Sequence, residues 1–229
     1  DGLDGLAGGT TLISLAAICI LAYMAGDFRL MLVALAIIGL IIGFLRFNTH
    51  PAQIFMGDGG SQFLGFSVGV LVIVLTQQTN PTLSPAMPLL LLGLPIIDTF
   101  IVMGQRVLER RSPFSPDKNH IHHKLLDLGF DHYEAVIVIY LLQAGLVGSA
   151  FTFRYQSDLF NMGLFAFVFV AAIFAFPLAV RTKLHLKERR GSIRPTKTTN
   201  FIERLRGTGV LYRYQYYFIA ATLPLYATA

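Results

Sequence analysis

The sequence has little charge: Asp, Glu, Lys and Arg make up only 14% of its 229 residues. Ordinary soluble domains carry charge on about a quarter of their residues, so the composition excludes that class. With 54% hydrophobic residues and a mean hydropathy of +0.61, the chain is also too apolar to be disordered. Cysteine is nearly absent. The single Cys19 excludes a disulfide within the chain and a metal site built on several cysteines.

Five long windows contain no charged residue at all. They are residues 5–26, 30–45, 59–97, 135–153 and 159–180. A helix needs roughly 20 apolar residues to cross the hydrocarbon core of a bilayer. The polar, proline-containing segment 77–85 divides the longest window in two. The sequence therefore predicts an all-α, polytopic transmembrane bundle with about six spans. These spans are expected near residues 10–25, 30–46, 62–77, 86–105, 134–153 and 159–180.

Lysine and arginine collect on one side of the predicted spans. Sixteen of the 18 basic residues lie within residues 1–9, 46–61, 106–133 and 181–229. Only Arg29 and Arg154 lie on the other side, so the positive-inside rule makes the first side cytoplasmic. The net charge of +5 then follows from membrane topology, and no nucleic-acid partner is expected. We expect a membrane domain over residues 1–180 and a basic cytoplasmic tail over residues 181–229.

An acidic, glycine-rich segment, DGLDGLAGG at residues 1–9, leads directly into the first predicted span. Asp1 and Asp4 are spaced to share one side of a helical turn, and the glycines allow a phosphate or an ion to approach the backbone. The alternative is a solvated helix start whose acidic residues suit the helix dipole. Because residue 1 is not Met, we expect the chain to begin inside a longer protein.

A second polar segment precedes the third predicted span. Here Asp58 stands between glycines, in the sequence MGDGGS at residues 56–61. Mg2+ prefers carboxylate oxygens and commonly bridges one or two of them to substrate phosphates. Helix-start amides favour the same phosphates. Asp58 is therefore a candidate metal ligand, and the alternative is a simple helix cap.

The longest cytoplasmic loop contains three histidines within four positions, His120, His122 and His123. Together with Arg106 and Lys118 they form a cationic or proton-donating cluster that suits a pyrophosphate. A zinc site is one alternative, because imidazole is a common zinc ligand. A merely basic cytoplasmic loop is another.

Asp98 lies within the fourth predicted span. Carboxylates inside a membrane are costly and usually functional, although structural pairing with a neighbouring helix is an equal alternative. The remaining histidines, His50, His132 and His185, are expected to be interfacial polar residues without a specific role.

Four of these segments together carry a resemblance to a known family. They are DGLDGLAGG at 1–9, PAQIFMGDGGSQFLG at 51–65, PIIDT at 95–99 and SPFSPDKNHIHHKLLDLGF at 112–130. In this order and spacing they resemble the polyprenyl-phosphate N-acetylhexosamine-1-phosphate transferases of glycosyltransferase family 4. The likeness is greatest to the branch that makes undecaprenyl-pyrophosphoryl-GlcNAc.

The resemblance implies a Mg2+-dependent transfer of N-acetylhexosamine 1-phosphate from a UDP-sugar to a polyprenyl phosphate, with release of UMP. It makes Asp58 a catalytic metal ligand and places Asp1 and Asp4 on the catalytic and nucleotide-binding face. It also implies that the motif of His120, His122 and His123 closes over the sugar nucleotide. The expected setting is the plasma (inner) membrane with the active face cytoplasmic, and a homodimer is a further option.

The resemblance also indicates which parts of the family's proteins this sequence lacks. The family carries a paired-aspartate motif and further helices before the DGxDG segment, which this sequence does not contain. We therefore expect the isolated chain to be inactive or severely impaired. The alternatives to the transferase hypothesis are a transporter or flippase of an anionic substrate, with Asp98 marking its site, and an inactive truncated homologue.

Overall fold

A computed structural model gives the fold of residues 2–110, 112 and 120–190, with side chains as far as residue 175. Within these residues the chain forms eight α-helices, one short π-helix and no β-strand. The α-helices are α1 (Leu6–Met24), α2 (Phe28–Asn48), α3 (Gly57–Val74), α4 (Met87–Leu91), α5 (Gly93–Leu108), α6 (Ile121–Asp127), α7 (His132–Thr152) and α8 (Asp158–Arg190). The π-helix, Leu75–Thr79, continues α3. The predicted all-α class is confirmed.

Five helical segments are long and apolar enough to cross a membrane, in a search confined to the described residues. They are α1, α2, α3 with its π-helix, α7, and the first part of α8 as far as Ala175. Each coincides with one of the charge-free windows, because a bilayer tolerates few charges along a spanning helix. The chain is a multi-pass membrane protein.

Helix α1 is the most enclosed of these spans and packs against α2, α3 and α7. Two glycines near its start permit this close packing. A Cβ on Gly8 would lie only 2.8 Å from Cδ2 of Leu45. A Cβ on Gly9 would lie 2.0 Å from the hydroxyl of Tyr140. Small residues at such contacts let the backbones of membrane helices approach each other.

The fourth predicted span, residues 86–105, is not a single helix. It is divided at Leu92 into α4 and α5. In a continuous helix the amide of residue 95 would donate to the carbonyl of Leu91, but Pro95 has no N–H. Pro95 instead occupies the first turn of α5, where its missing donor is not needed. The prediction of one unbroken span was wrong because a backbone hydrogen bond is lost here.

Side chains from two other helices satisfy the backbone at this break. The carbonyl of Leu91 accepts hydrogen bonds from Ser14 Oγ in α1 at 2.8 Å and from Gln143 Nε2 in α7 at 2.9 Å. The other end of the Gln143 amide accepts from the N–H of Leu94 at 3.3 Å. Gln143 is fully buried. Since the bilayer core supplies no water, this network makes the break compatible with membrane depth.

The end of the bundle opposite the polar motifs is closed by side-chain hydrogen bonds. Asp27 caps α2 through the N–H of Leu30 at 3.0 Å and also accepts from Thr79 Oγ1 at 2.7 Å. Ser84 donates to the carboxylate of Asp158 at 2.7 Å. The starts of α1, α3 and α7 and the ends of α2 and α5 consequently lie together at the other end.

Candidate functional site

The first glycine-rich segment and the segment before α3 are joined by hydrogen bonds. Asn48, which is only 2% exposed, accepts from the N–H of Gly5 at 3.0 Å and donates to the carbonyl of Ile54 at 2.9 Å. The hydroxyl of Tyr140 donates to the carbonyl of Gly5 at 2.6 Å. Gly5 has a φ of +79°, which favours glycine, and α1 begins only at the next residue. Asp4 therefore lies in a turn, and its predicted place in a helical turn was wrong.

The Asp4 carboxylate is held by the segment that follows α2. Its Oδ2 atom lies 2.7 Å from His50 Nδ1 and accepts the N–H of Ala52 at 3.0 Å. Burial opposes ionisation of Asp4. The hydrogen bonds from Ala52 and His50 and the nearby His132 outweigh it, and the pKa of Asp4 is lower than that of a free aspartate. Asp4 is thus an anion at neutral pH.

Asp98 contacts the segment that contains His120, His122 and His123, which we call the histidine segment. Its carboxylate lies 2.8 Å from Nδ1 of His120 and accepts the N–H of Ile121 at 2.8 Å. The two oxygens thus hold both the His120 ring and the start of α6. Asp98 belongs to the candidate site, and the pairing with a neighbouring membrane helix that the sequence left open is not what the structure shows. Orienting a histidine through a carboxylate on one ring nitrogen leaves the other nitrogen for a ligand.

His122 is the most buried histidine of the segment, with 8% of its surface exposed. Its Nε2 atom has no hydrogen-bond partner within the described residues. A Cβ on Gly2 would lie 1.9 Å from this nitrogen, so the ring fits only because residue 2 is glycine. Burial, and then the neighbouring His123 and His120, lower the pKa of His122 to about 4. The ring is neutral at pH 7, so within the cluster that was predicted to be cationic or proton-donating this histidine does not supply a positive charge.

A cavity of about 530 Å³ lies beside Asp98 and the three histidines at 120–123. Its polar end is lined by Gly2, Asp98, His120, His122 and His123. Residues of α1, α3 and α5 continue it toward the bundle interior, and there the lining is largely apolar. That part includes Leu6, Ala7, Thr10, Leu64, Gly65, Leu94 and Pro95. The cavity therefore offers hydrogen-bonding groups at one end of the helices and an apolar surface within the membrane.

Asp58 lies beside this cavity in the first turn of α3. Its neighbours Met56 and Ser61 line the cavity. The helix begins after Met56, so Asp58 is not the capping residue that the alternative hypothesis required. The Asp58 side chain is exposed, and its carboxylate accepts no hydrogen bond from any described residue. Such a carboxylate is accessible to a cation.

The remaining predicted site residues are distributed as follows. Arg106 lies half-buried in the last turn of α5. Asp1 and Lys118 fall outside the described residues, so their predicted roles stay predictions. The structure thus gathers the histidine segment and Asp98 around one cavity, with Asp58 at its side and Asp4 fixed to His50.

Sequence reasoning missed two residues near Asp4 and left the role of a third, Asp98, open. His50 and His132 were expected to be unspecific interfacial residues, yet they surround Asp4 together with Ala52. Asp98 was left undecided. Of the described residues, the three whose ligating atoms lie within 4.8 Å of one another are Asp4, His50 and His132, and not the three histidines at 120–123. The one sequence signal for His50 is its position directly before the PAQIFMGD motif.

The fold and the site define a polytopic membrane protein with a polar binding cavity at one end of its helices. Comparison with known proteins narrows this class. Residues 1–76 match the glycosyl transferase family 4 model, and this match together with the curated relatives supports the assignment of the chain to that family.

Curated relatives extend the match along the chain. The chain is 38% identical over 184 residues to a probable undecaprenyl-phosphate N-acetylglucosaminyl 1-phosphate transferase of Bacillus subtilis, covering 80% of this chain and 51% of the relative. It is 33% identical over 177 residues to the undecaprenyl-phosphate alpha-N-acetylglucosaminyl 1-phosphate transferase of Yersinia pestis, covering 73% and 48%. The corresponding Escherichia coli K12 protein is 30% identical over 210 residues, covering 90% and 54%. The chain spans about half the length of these relatives.

Proposed function

We propose that this chain is part of an enzyme that transfers N-acetylglucosamine 1-phosphate from UDP-N-acetylglucosamine to a polyprenyl phosphate. The proposed reaction takes place at the cytoplasmic face of the plasma (inner) membrane and releases UMP. The names of the relatives support the activity, and the position of most basic residues on one side supports the orientation. The observation that carries the proposal is the cavity, which combines a histidine-lined polar end with an apolar interior.

The proposed chemistry is an exchange of one phosphoanhydride for another. An oxygen of the lipid phosphate attacks the phosphorus that bears the sugar, and the bond from this phosphorus to the UMP oxygen breaks. Phosphoryl transfer of this kind asks the protein mainly for positioning and for neutralisation of charge. His120 is oriented through its Nδ1 by Asp98, and in its doubly protonated form it would donate a hydrogen bond from Nε2 to a phosphate oxygen. The neutral His122 next to it can bind a polar group without adding a second buried charge.

The donor set of the site fits a magnesium ion. Asp4 and Asp98 are hydrogen-bonded to histidines and backbone amides, whereas the Asp58 carboxylate is exposed beside the cavity and accepts no hydrogen bond within the part of the chain that the structure describes. Mg2+ keeps several waters and typically takes one or two carboxylates together with substrate phosphates. Asp58 would hold the ion, which would supply charge neutralisation to the diphosphate.

The apolar part of the cavity suits a prenyl chain. Its lining comes from α1, α3 and α5, which surround it at membrane depth. A lipid phosphate bound with its headgroup at the histidine end would place its first apolar units against Leu64 and Leu94. Burial of apolar surface then contributes affinity, while the polar end selects the phosphate.

The decisive experiment replaces Asp58 with Asn in the full-length protein. We expect UMP release from UDP-N-acetylglucosamine and undecaprenyl phosphate to fall by about 10²-fold or more, because the ligand charge for Mg2+ is lost. Wild-type protein should require added Mg2+. The control is Asp127→Asn, which removes another exposed carboxylate near the histidine segment and should leave turnover unchanged.

Two results would contradict the proposal. Normal turnover in the Asp58→Asn protein would remove Asp58 from the metal site. Absence of UMP release in the wild-type protein would favour the inactive homologue.

The transporter hypothesis has less support, because Asp98 is bound to the histidine segment at one end of the bundle. The choice of sugar and a homodimer stay predictions.

A further inference from the structure

Two histidines, His50 and His132, flank Asp4, and Tyr133 packs against His50; the reaction outlined above assigns a role to none of these three rings. His50 hydrogen-bonds to the carboxylate. The ring of His132 stacks on His50, with 4.2 Å between ring centroids and 27° between ring planes. The ring of Tyr133 meets His50 edge-on at 5.3 Å, and its hydroxyl donates to the His50 carbonyl at 2.8 Å. The His50 ring is therefore fixed from two sides.

The distance between the His50 ring and the Asp4 carboxylate distinguishes a hydrogen bond from joint coordination of a metal ion. His50 Nδ1 and Asp4 Oδ2 are 2.7 Å apart. Two ligands of one tetrahedral zinc ion, at bond lengths near 2.0–2.1 Å, are about 3.3 Å apart. The shorter separation is that of a charge-assisted N–H···O hydrogen bond. Because an ionised carboxylate only accepts, His50 carries a proton on Nδ1 and donates a hydrogen bond from this N–H to Asp4.

The two donors to Asp4 share one carboxylate oxygen. Both His50 Nδ1 and the Ala52 N–H bind Oδ2. The other oxygen, Oδ1, has no partner in the described part of the chain. A carboxylate fixed at one oxygen cannot rotate freely about its last bond, so the second oxygen keeps one direction.

We propose that His50 is a positioning residue for Asp4: it anchors Oδ2 and leaves Oδ1 available to the substrate or to a group that binds it. This role rests on the proposed function, in which Asp4 belongs to the catalytic face. His132 and Tyr133 act one step further away, because they hold the His50 ring in the orientation that its hydrogen bond requires.

Two substitutions of His50 separate its hydrogen bond from its ring. Asn places an amide donor close to the position of Nδ1 but removes the ring. Phe keeps a ring between His132 and Tyr133 but removes the donor. In the full-length enzyme we expect His50→Phe to lower kcat by about 10- to 100-fold, the usual effect of a hydrogen bond to a charged group. We expect His50→Asn to stay within about 3-fold of wild type and the KM for UDP-N-acetylglucosamine to change little in both.

A second measurement tests the same hydrogen bond and does not depend on catalytic activity. Carbodiimide-activated coupling of an amine to Asp4, quantified by mass spectrometry at mildly acidic pH, reports how easily this carboxyl is protonated. We expect His50→Phe to increase the labelling of Asp4 and His50→Asn to leave it near the wild-type level.

The outcomes separate the competing explanations. Wild-type kcat and unchanged labelling in His50→Phe would overturn the positioning role. Equal losses in His50→Asn and His50→Phe would also overturn it, since a structural or metal-binding role does not distinguish an amide donor from a ring. If wild-type protein releases no UMP, the proposed function fails, and the labelling alone decides whether His50 anchors Asp4.

Discussion

The carboxylate of Asp98 and the imidazole of His120 form a hydrogen-bonded pair in the lining of the cavity, with Oδ2 of Asp98 2.8 Å from Nδ1 of His120. The pair joins α5 to the residue before α6, and the second carboxylate oxygen holds the Ile121 amide. This one side chain of α5 therefore fixes both the His120 ring and the start of α6. The Nε2 atom of His120 is the ring nitrogen left for a ligand.

Replacing Asp98 with Asn should reduce turnover by about 10²-fold, because the amide no longer fixes the tautomer and orientation of His120. The comparison is Asp158→Asn at the opposite end of the bundle, which removes a carboxylate with one 2.7 Å hydrogen bond from Ser84. UMP release and thermal unfolding should be measured for both proteins. Equal activity in the two variants would show that Asp98 serves stability alone.

A methyl group on Gly2 should displace His122 from its site. The added Cβ would lie 1.9 Å from Nε2, and the ring is the more easily moved partner. We expect Gly2→Ala to lower turnover at least about tenfold with little change in the unfolding midpoint. Gly39→Ala in α2 is the matched control, because nothing lies within 4 Å of its added methyl. Retained activity in Gly2→Ala would mean that the position of His122 is unimportant.

The hydrogen bonds at the helix break predict a stability effect. Gln143→Leu leaves the N–H of Leu94 without its partner and removes one of the two donors to Leu91. We expect a loss of about 1–2 kcal/mol in the free energy of unfolding, since hydrogen bonds between membrane helices reach this range. Denaturant titration in detergent measures it. Leu141→Ala on the exposed face of the same helix should cost less, and a reversed order would contradict this account.

The buried His122 predicts a dependence of stability on pH. Its pKa is about 4 in the folded protein against 6.5 for an unperturbed histidine. Between these values the unfolded chain binds the proton more tightly, so stability falls as the pH falls from about 6.5 toward 4. At pH 5 the loss relative to pH 7.5 amounts to about 2 kcal/mol.

The His122→Asn protein isolates this contribution, because every other titrating group is retained. Unfolding free energies of wild type and variant should be compared at pH 7.5 and at pH 5. We expect the wild type to lose more stability than the variant over this interval. Parallel losses would show that His122 is not buried as a neutral ring.

The membrane spans were predictable because charged residues are costly inside a bilayer. Spanning helices therefore appear in the sequence as long windows without charge. Helices α1, α2 and α7 each fill a charge-free window. The break at Leu92 was not predicted, although Pro95 signals it, because a count of charges does not register a missing backbone donor.

The site was only partly predictable. The motifs containing His120 and Asp58 correctly predicted the end of the helix bundle at which the candidate site lies. The contacts of Asp4 with His50 and His132 join residues 46 and 128 positions apart, and no local pattern encodes such distances. The neutrality of His122 depends on the absence of a side chain at Gly2, which becomes visible only when α6 is packed.

Asn48 bears on how such a protein matures in the membrane. Its amide joins the turn before α1 to the segment after α2, and these two helices form an antiparallel pair. The Gly5 amide therefore finds its partner only once both helices have been inserted and have met. Ordering of the loop that leads to Asp58 is thereby made conditional on correct helix pairing during biogenesis, so that a mispaired chain would also lack an organised site.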